Sequence, residues 1–259
     1  MDTDIALTGV DIGNTRTKLA VITPDDVLPA FHAPTRPVAT LAARLESCMN
    51  SSGPVLPEQS RCLICSVHPE ATGAVTQFCR AHMKCAPEVL RKAGQIPLPI
   101  DLEEADRVGT DRLLCALGAR SLMGPPCIII SAGTAIVVDL ISDTGAFAGG
   151  AIAPGFALSS RALHQETGEL PEVGLKPPAG LPGRNTEEAI RNGIWHFCTA
   201  GTERLTRRLA AACSTSPDVV ITGGDADKLL RIDLPFPVHH QPHLLFIGMR
   251  EMARSNGNA

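Results

Sequence analysis

Two short loops carry the residue types best suited to chemistry: Asp11-Ile12-Gly13-Asn14-Thr15-Arg16-Thr17-Lys18 and Ser131-Ala132-Gly133-Thr134-Ala135. Glycine lets backbone N–H groups come close to a ligand, and N–H groups gathered in a turn form a concavity that favours anions. Neighbouring threonine hydroxyls add hydrogen bonds to phosphate oxygens. A carboxylate beside phosphates repels them unless a cation intervenes, so Asp11 points to a metal-bound nucleotide. A plainer reading makes each loop a β-hairpin turn, and for either loop alone that reading is preferred. One plan repeated at the start of each half of the chain shifts the balance toward a phosphate clamp. A third stretch, Gly109-Thr110-Asp111-Arg112, offers a reacting group. Asp111 falls at a predicted helix start, where the dipole keeps a carboxylate ionised and able to take a proton from an attacking hydroxyl. Arg112 beside it suits an anionic substrate group. An Asp-Arg pair in the first turn of a helix is also ordinary helix chemistry, and in isolation has the better odds.

These residues need a scaffold, and the pattern around them supplies one. Ile5 to Val10 and Leu19 to Ile22 flank the first loop as apolar strands, as Cys127 to Ile130 and Ile136 to Leu140 flank the second. Val27 to His32 reads as a third strand, Val38 to Met49 as a helix, Arg61 to Val67 as a strand and Pro69 to His82 as a helix opened by proline. Pro87 to Asp106, with three prolines, reads as a connecting or site-lining loop. Thr110 to Leu122 reads as a helix stopped at Gly124-Pro125-Pro126. The second half repeats the plan, with a short strand Ala146-Phe147, a Gly/Pro segment Gly149 to Gly155, and a helix from Phe156 to about Glu166. Asn185 or Thr186 caps a long helix to about Ala212, with acids in its first turn. Val219 to Thr222 is a strand running into Gly223-Gly224-Asp225, followed by helices to about Arg231 and over Leu244 to Ala253. The Thr222-Gly223-Gly224-Asp225 turn fits a third contact, for ribose or adenine, although such a turn is more often only a tight connection.

Composition bounds the class. At 259 residues the chain makes one large domain or two small ones, at roughly 150 residues each. Aliphatic residues must build the core, because there is no Tyr, one Trp and seven Phe. A net charge of −4 without a Lys/Arg cluster argues against nucleic acid. No apolar run reaches the roughly 18 residues of a membrane span, and Met1 to Asp4 make a poor leader, so a cytoplasmic protein is expected. Nine scattered cysteines read as reduced thiols; Cys62 and Cys65 lie within an apparent buried strand. His239, His240 and His243 read as solvated loop residues.

Six motifs occur in a fixed order: D-x-G-N-T at Asp11, V-G-x-D-R at Val108, G-T-A at Gly133, G-G-x-I-x-P-G at Gly149, N-T at Asn185 and T-G-G at Thr222. Together with the closing Pro242 to Met249 segment they resemble the type III pantothenate kinases over nearly the whole chain. The resemblance implies an α/β protein of two related lobes of the actin/hexokinase-like ATPase fold. Mixed sheets would be flanked by helices, with the nucleotide in the cleft between the lobes. Residues 1–123 would form one lobe and 124–259 the other. It implies phosphorylation of pantothenate by ATP, the opening step of coenzyme A synthesis. Asp11 to Lys18 and Thr134 would hold ATP, with Mg²⁺ at Asp11. Gly109, Thr110, Asp111 and Arg112 would hold pantothenate with Asp111 as base, and Thr186 would touch it as well. It further implies a homodimer, with Ile190, Ile194 and Phe197 of the long helix offering an apolar face, and a monovalent cation, K⁺ or NH₄⁺.

The chain departs from the family at three points. Ser131, or Ala132 in a register one residue on, stands where members carry the aspartate that binds the cation. Ile136 and Val137 follow G-T-A where a threonine is common, and no tyrosine is present to line the pantothenate pocket. A neutral residue at Ser131 removes the need for an offsetting ion, so little potassium dependence is expected; Asp139, further along the strand, is the rival source of charge. Two other readings stay open: a non-catalytic relative that binds nucleotide or pantothenate in a regulatory role, and a different small-molecule kinase on the same fold. The intact Asp111-Arg112 pair favours an enzyme.

Overall fold

A computed structural model describes residues 7–51, 56–57 and 60–257. Met1 to Ala6, including the first two residues of the predicted opening strand, and part of the Asn50 to Ser60 loop lie outside the described residues. The chain divides into two compact units, one of residues up to 122 with 243 onward, the other of residues 123–242.

The first unit opens with three strands, β1 (Leu7–Ile12), β2 (Arg16–Ile22) and β3 (Val27–Pro34). Helix α1 (Leu41–Ser51), strand β4 (Cys62–Ser66), helix α2 (Pro69–Met83), strand β5 (Glu88–Leu90) and helix α3 (Thr110–Met123) follow. They build one five-stranded sheet in the order β3-β2-β1-β4-β5, antiparallel across β1-β2-β3 and parallel across β1-β4-β5. Hairpin turns join the antiparallel strands, whereas each parallel pairing needs a helical crossover. Central β1 is buried on both faces, which explains its unbroken apolar reading. One face packs Val10, Ile12, Leu19 and Ile64 against Leu41 and Leu45 of α1 and Val75, Phe78 and Met83 of α2. Proline at the first position of α2 and the His68 ring, which accepts from Ala71 N–H, start that helix.

The second unit repeats the plan: β6 (Cys127–Ala132), β7 (Ala135–Ile141), β8 (Phe147–Pro154), α4 (Phe156–Glu166), α5 (Thr186–Ala210), β9 (Asp218–Thr222), α6 (Ala226–Leu229) and β10 (Val238–His240). Its sheet order, β8-β7-β6-β9-β10, is the first sheet's order over again, with the same parallel and antiparallel senses. Ile128, Ile130, Val138, Val219 and Ile221 pack against Phe156, Ile190, Ile194 and Leu229. Asn185 is the cap of α5, its side chain accepting from Glu188 N–H at 2.9 Å, so Thr186 is the first helical residue. Glu187 and Glu188 in the first turn and Arg207 and Arg208 in the last suit the helix dipole.

Four expectations change. Pro87 to Asp106 contains a strand, β5, whose three residues are too few to show a period. The strand read at Ala146-Phe147 is longer than expected, since β8 takes in Gly149 to Pro154; the small residues there and the positive φ of Gly149 hid the alternation. His239 and His240 lie in β10, and the His239 ring meets Asp218 at 2.8 Å, so these histidines are not free loop residues. The closing helix α7 (Leu244–Gly257) groups with the first unit, whereas the sequence reading placed 124–259 in one lobe. Its Phe246 and Met249 lie against Gly9 of β1, a contact between residues too far apart in sequence for local pattern to show.

Candidate active site

The first unit concentrates its polar chemistry on one transverse row of its sheet. Register pairs His32 with Lys18, Lys18 with Asp11, Asp11 with Cys65, and Cys65 with Leu90, across all five strands. Paired residues in adjacent strands share a face, so Asp11 and Lys18 meet: Lys18 Nζ stands 3.6 Å from Asp11 Oδ2. Asp11 is 18% exposed and its carboxyl is pushed up to about 6. Burial is the main cause and the nearby Asp111 carboxylate adds to it, while Lys18 opposes both.

The turn beyond Ile12 is braced from β3. Gly13 N–H donates to Arg16 O at 3.0 Å, and Thr35 N–H donates to Thr15 O at 3.0 Å. The Thr35 hydroxyl donates to Gly13 O at 2.8 Å and meets the Thr17 hydroxyl at 3.0 Å. Thr17 and Ile12 are fully buried, so Ile12 offers a ligand only backbone and the Thr17 hydroxyl braces the turn. Asn14, Thr15 and Arg16 have exposed side chains. Thr35 had no motif to mark it in the sequence.

Asp111 sits in the first turn of α3, in the same unit. A Cβ on Gly109 would fall 2.4 Å from Asp111 Oδ1, so the glycine leaves room for the carboxylate to fold back over it. That carboxyl is raised above its ordinary range by burial. Its hydrogen bonds from the Arg112 and Asp111 backbone N–H groups, and the Arg112 charge, pull the other way. Arg112 is half-buried. The Thr110 side chain points inward and is 6% exposed. Its hydroxyl donates to Leu90 O at 3.3 Å and lies 3.4 Å from Cys65 Sγ.

In the second unit the turn after β6 is shorter. Gly133 N–H donates to Ala135 O at 2.9 Å, and Gly155 N–H donates to Thr134 O at 3.0 Å. A Cβ on Gly155 would meet Gly133 O at 2.2 Å, and one on Gly223 would meet Ala132 O at 2.1 Å. Gly223 also has φ +101°, which favours glycine. Asp225 N–H donates to Ala132 O at 3.0 Å, so the T-G-G turn is bonded to the G-T-A turn. Lys228 pairs with Asp225 and lies 5.5 Å from the Phe156 ring centroid. Ser131 pairs with Val137 and with Thr222. Asp139 is 2% exposed and pairs with Ile129, two places along the strand, or about 7 Å, from Ser131's row.

Thr186 is exposed at the start of α5. Ile190 and Ile194 pack into the unit's own core, but Phe197 is 84% exposed. Among the described residues no group of three or more His, Cys, Asp or Glu is placed to hold a metal ion. Asp11 alone suits a magnesium ion that arrives on nucleotide phosphates, because such ions use one or two protein carboxylates. The half-buried Ser131 hydroxyl gives no comparable anchor for a monovalent ion. All nine cysteines are free thiols, and Cys62 and Cys65 lie in buried β4 as their pattern indicated.

Known proteins match this architecture. The type III pantothenate kinase family profile matches residues 7–208. A type III pantothenate kinase of Dehalococcoides mccartyi is 31% identical over 253 residues, covering 96% of this chain and 98% of the relative. Among solved structures, a Campylobacter jejuni protein assigned to the Baf family of transcriptional activators superposes with a TM-score of 0.61 at 17% identity, covering 97% of this chain and all of that one. Balamuthia mandrillaris glucokinase, in complex with glucose, superposes with a TM-score of 0.51 at 12% identity, covering 97% of this chain and 94% of that one. At such identities the structural likenesses show the fold alone, that of the actin/hexokinase-like ATPases. The full-length sequence match goes further: the chain belongs to the type III pantothenate kinase family.

Proposed function

We propose that this chain transfers the terminal phosphoryl group of ATP to the primary hydroxyl of pantothenate, the opening step of coenzyme A synthesis, with Asp111 taking the hydroxyl proton. The observation that carries the assignment of roles is the placement of Asp111, folded over Gly109 in the unit that also presents Asp11 and Lys18. Phosphoryl transfer asks for positioning and charge neutralisation more than covalent catalysis. The turn from Asp11 to Lys18 and the G-T-A turn at Thr134 contact ATP, and Asp11 would hold the magnesium ion that accompanies it. Lys18 offsets the Asp11 charge. Gly109 to Arg112 receives pantothenate, with Thr186 as a further contact.

The protein works as a homodimer. Support comes from exposed Phe197 on α5 and from Ile152, 63% exposed on the edge strand β8. The elements that carry them touch, since Cys198 Sγ of α5 reaches Pro154 O of β8 at 3.9 Å. A solitary, fully active species in sedimentation would end that part of the reading. No helix among the described residues is long and apolar enough to cross a membrane. Nine free thiols favour a reducing compartment, the cytoplasm.

The deciding assay measures ATP-dependent phosphorylation across pantothenate, pantetheine and sugars. Pantothenate is the expected acceptor, and turnover of a sugar in its place would replace the substrate. Asp111→Asn should lower turnover by about 10²–10⁴-fold while leaving ATP binding intact. Near-normal turnover in that variant would remove Asp111 from the mechanism.

A further inference from the structure

We propose that Thr110 is a positioning residue for Asp111, its buried hydroxyl fixing the first turn of α3 to the ends of β4 and β5. The inference rests on Asp111 being the base. Thr110 lies inside the motif assigned to substrate, but its side chain is turned into the protein and is bonded there. Its O–H donates to Leu90 O, which leaves the Cys65 thiol to donate to the Thr110 hydroxyl oxygen. Those two partners are register neighbours, Cys65 on β4 opposite Leu90 on β5, and Cys65 is in turn opposite Asp11 on β1. A single hydroxyl therefore ties the start of α3 to the transverse row that holds Asp11. Asp111 is the next residue, and its carboxylate lies close enough to Asp11 to raise the latter's pKa. Movement of this turn by a fraction of an ångström would shift the carboxylate relative to Gly109 and to the backbone N–H groups that it accepts from. Displacements of about 1 Å in a reacting group cost on the order of 10²-fold in rate.

Thr110→Val keeps the branched shape and removes the hydroxyl; Thr110→Ser keeps the hydroxyl. For the valine variant we expect kcat with pantothenate to fall by about 10- to 100-fold, with ATP affinity within about twofold of the parent. The serine variant should recover kcat to within about threefold. Thr110→Ala carries the same expectation as valine and replaces it if the valine protein precipitates. A raised KM for pantothenate with unchanged kcat would make Thr110 a ligand contact and overturn the inference. A lowered Tm with unchanged kcat would make it purely structural and overturn it equally. Asp111→Asn run in parallel separates the two levels. If that variant is inactive while Thr110→Val is normal, only the positioning role falls; if it is active, the assignment of the base falls first.

Discussion

The two units are built on one plan, and their differences fall where the ligand chemistry is. Strand lengths run six, seven, eight, five and three residues in both, and the first strand of each has the same burial pattern. Asp11 in β1 and Ser131 in β6 occupy matching places, two residues before the turn glycine. Their rows differ completely. In the first unit the row reads His32, Lys18, Asp11, Cys65, Leu90; in the second it reads Ile152, Val137, Ser131, Thr222. One copy of the plan holds a carboxylate with its lysine and the other has lost both charges. The residue after the third strand differs as well. Thr35 and Gly155 donate the same backbone bond to the turn, but Thr35 adds a hydroxyl brace and Gly155 packs backbone to backbone. The comparison teaches that this plan is built with either chemistry at this row, so the charge in the first unit is not a requirement of the plan.

That conclusion can be broken by moving residues between the copies. Asp11→Ser gives the first unit the second unit's residue; turnover should fall by about 10²–10³-fold, while circular dichroism stays near the parent and Tm does not fall. Unfolding of that variant would show that the charge does belong to the fold. A second test sharpens the contrast through pH. Asp11 must be ionised to hold a metal, so Mg·ATP binding should weaken about tenfold per pH unit below about 6. Binding that stays flat down to pH 5 would contradict the raised carboxyl.

Stability gives the same comparison in smaller numbers. A folded pKa of about 6 against an ordinary value of 3.8 means that the folded state keeps a proton that the unfolded chain has released. Stability from this group is therefore present below about pH 4 and lost as pH rises to about 6. Without ligand, Asp11→Asn should be more stable than the parent at pH 7 by about 1–3 kcal/mol, and the gain should vanish near pH 4. Gly155→Ala should destabilise the second unit by about 1–3 kcal/mol, since its new methyl meets backbone that cannot rotate away. Urea unfolding measures both. The smallest expected effect belongs to Ser131. Exchanging potassium for sodium or a bulky organic cation at equal ionic strength should change turnover by less than about twofold. A large potassium or ammonium activation would mean that the second row is charged in practice, with Asp139 as the source.

The duplication was legible in the sequence because its signal is local: two apolar strands around a Gly/Thr turn, twice. The places of Asp11, just before a turn, and of Asp111, in the first turn of a helix, were legible for the same reason. What escaped was whatever depends on contacts between distant segments. Thr35 lies 22 residues from the Gly13 carbonyl that it braces, and nothing in Pro34-Thr35-Arg36 announces it. Thr17 and Thr110 were read as ligand contacts because hydroxyls in such motifs meet phosphates and substrates; the structure buries both and gives them internal partners. The long helix showed an apolar face, but sequence could not divide it between Ile190 and Ile194, which face the core, and Phe197, which does not. Strands β5 and β10 were too short to carry a period.

The grouping of α7 with the first unit has a consequence for how the protein is made. The second unit is a continuous stretch, residues 123–242, and all of it has been synthesised before α7 is begun. The first unit is begun earlier and finished later. Gly9 on β1 stays uncovered until Phe246 and Met249 arrive. Helix α3 likewise waits for its partner, since Gly118 and Gly248 allow α3 and α7 to cross with Leu114 O and Leu244 O almost touching the opposite backbone. At roughly 5–20 residues per second, the stretch between Leu122 and His243 takes on the order of ten seconds to produce. During that interval the half of the protein bearing Asp11 and Asp111 is a nascent chain with an open apolar face, and α7 is the latch that later closes it.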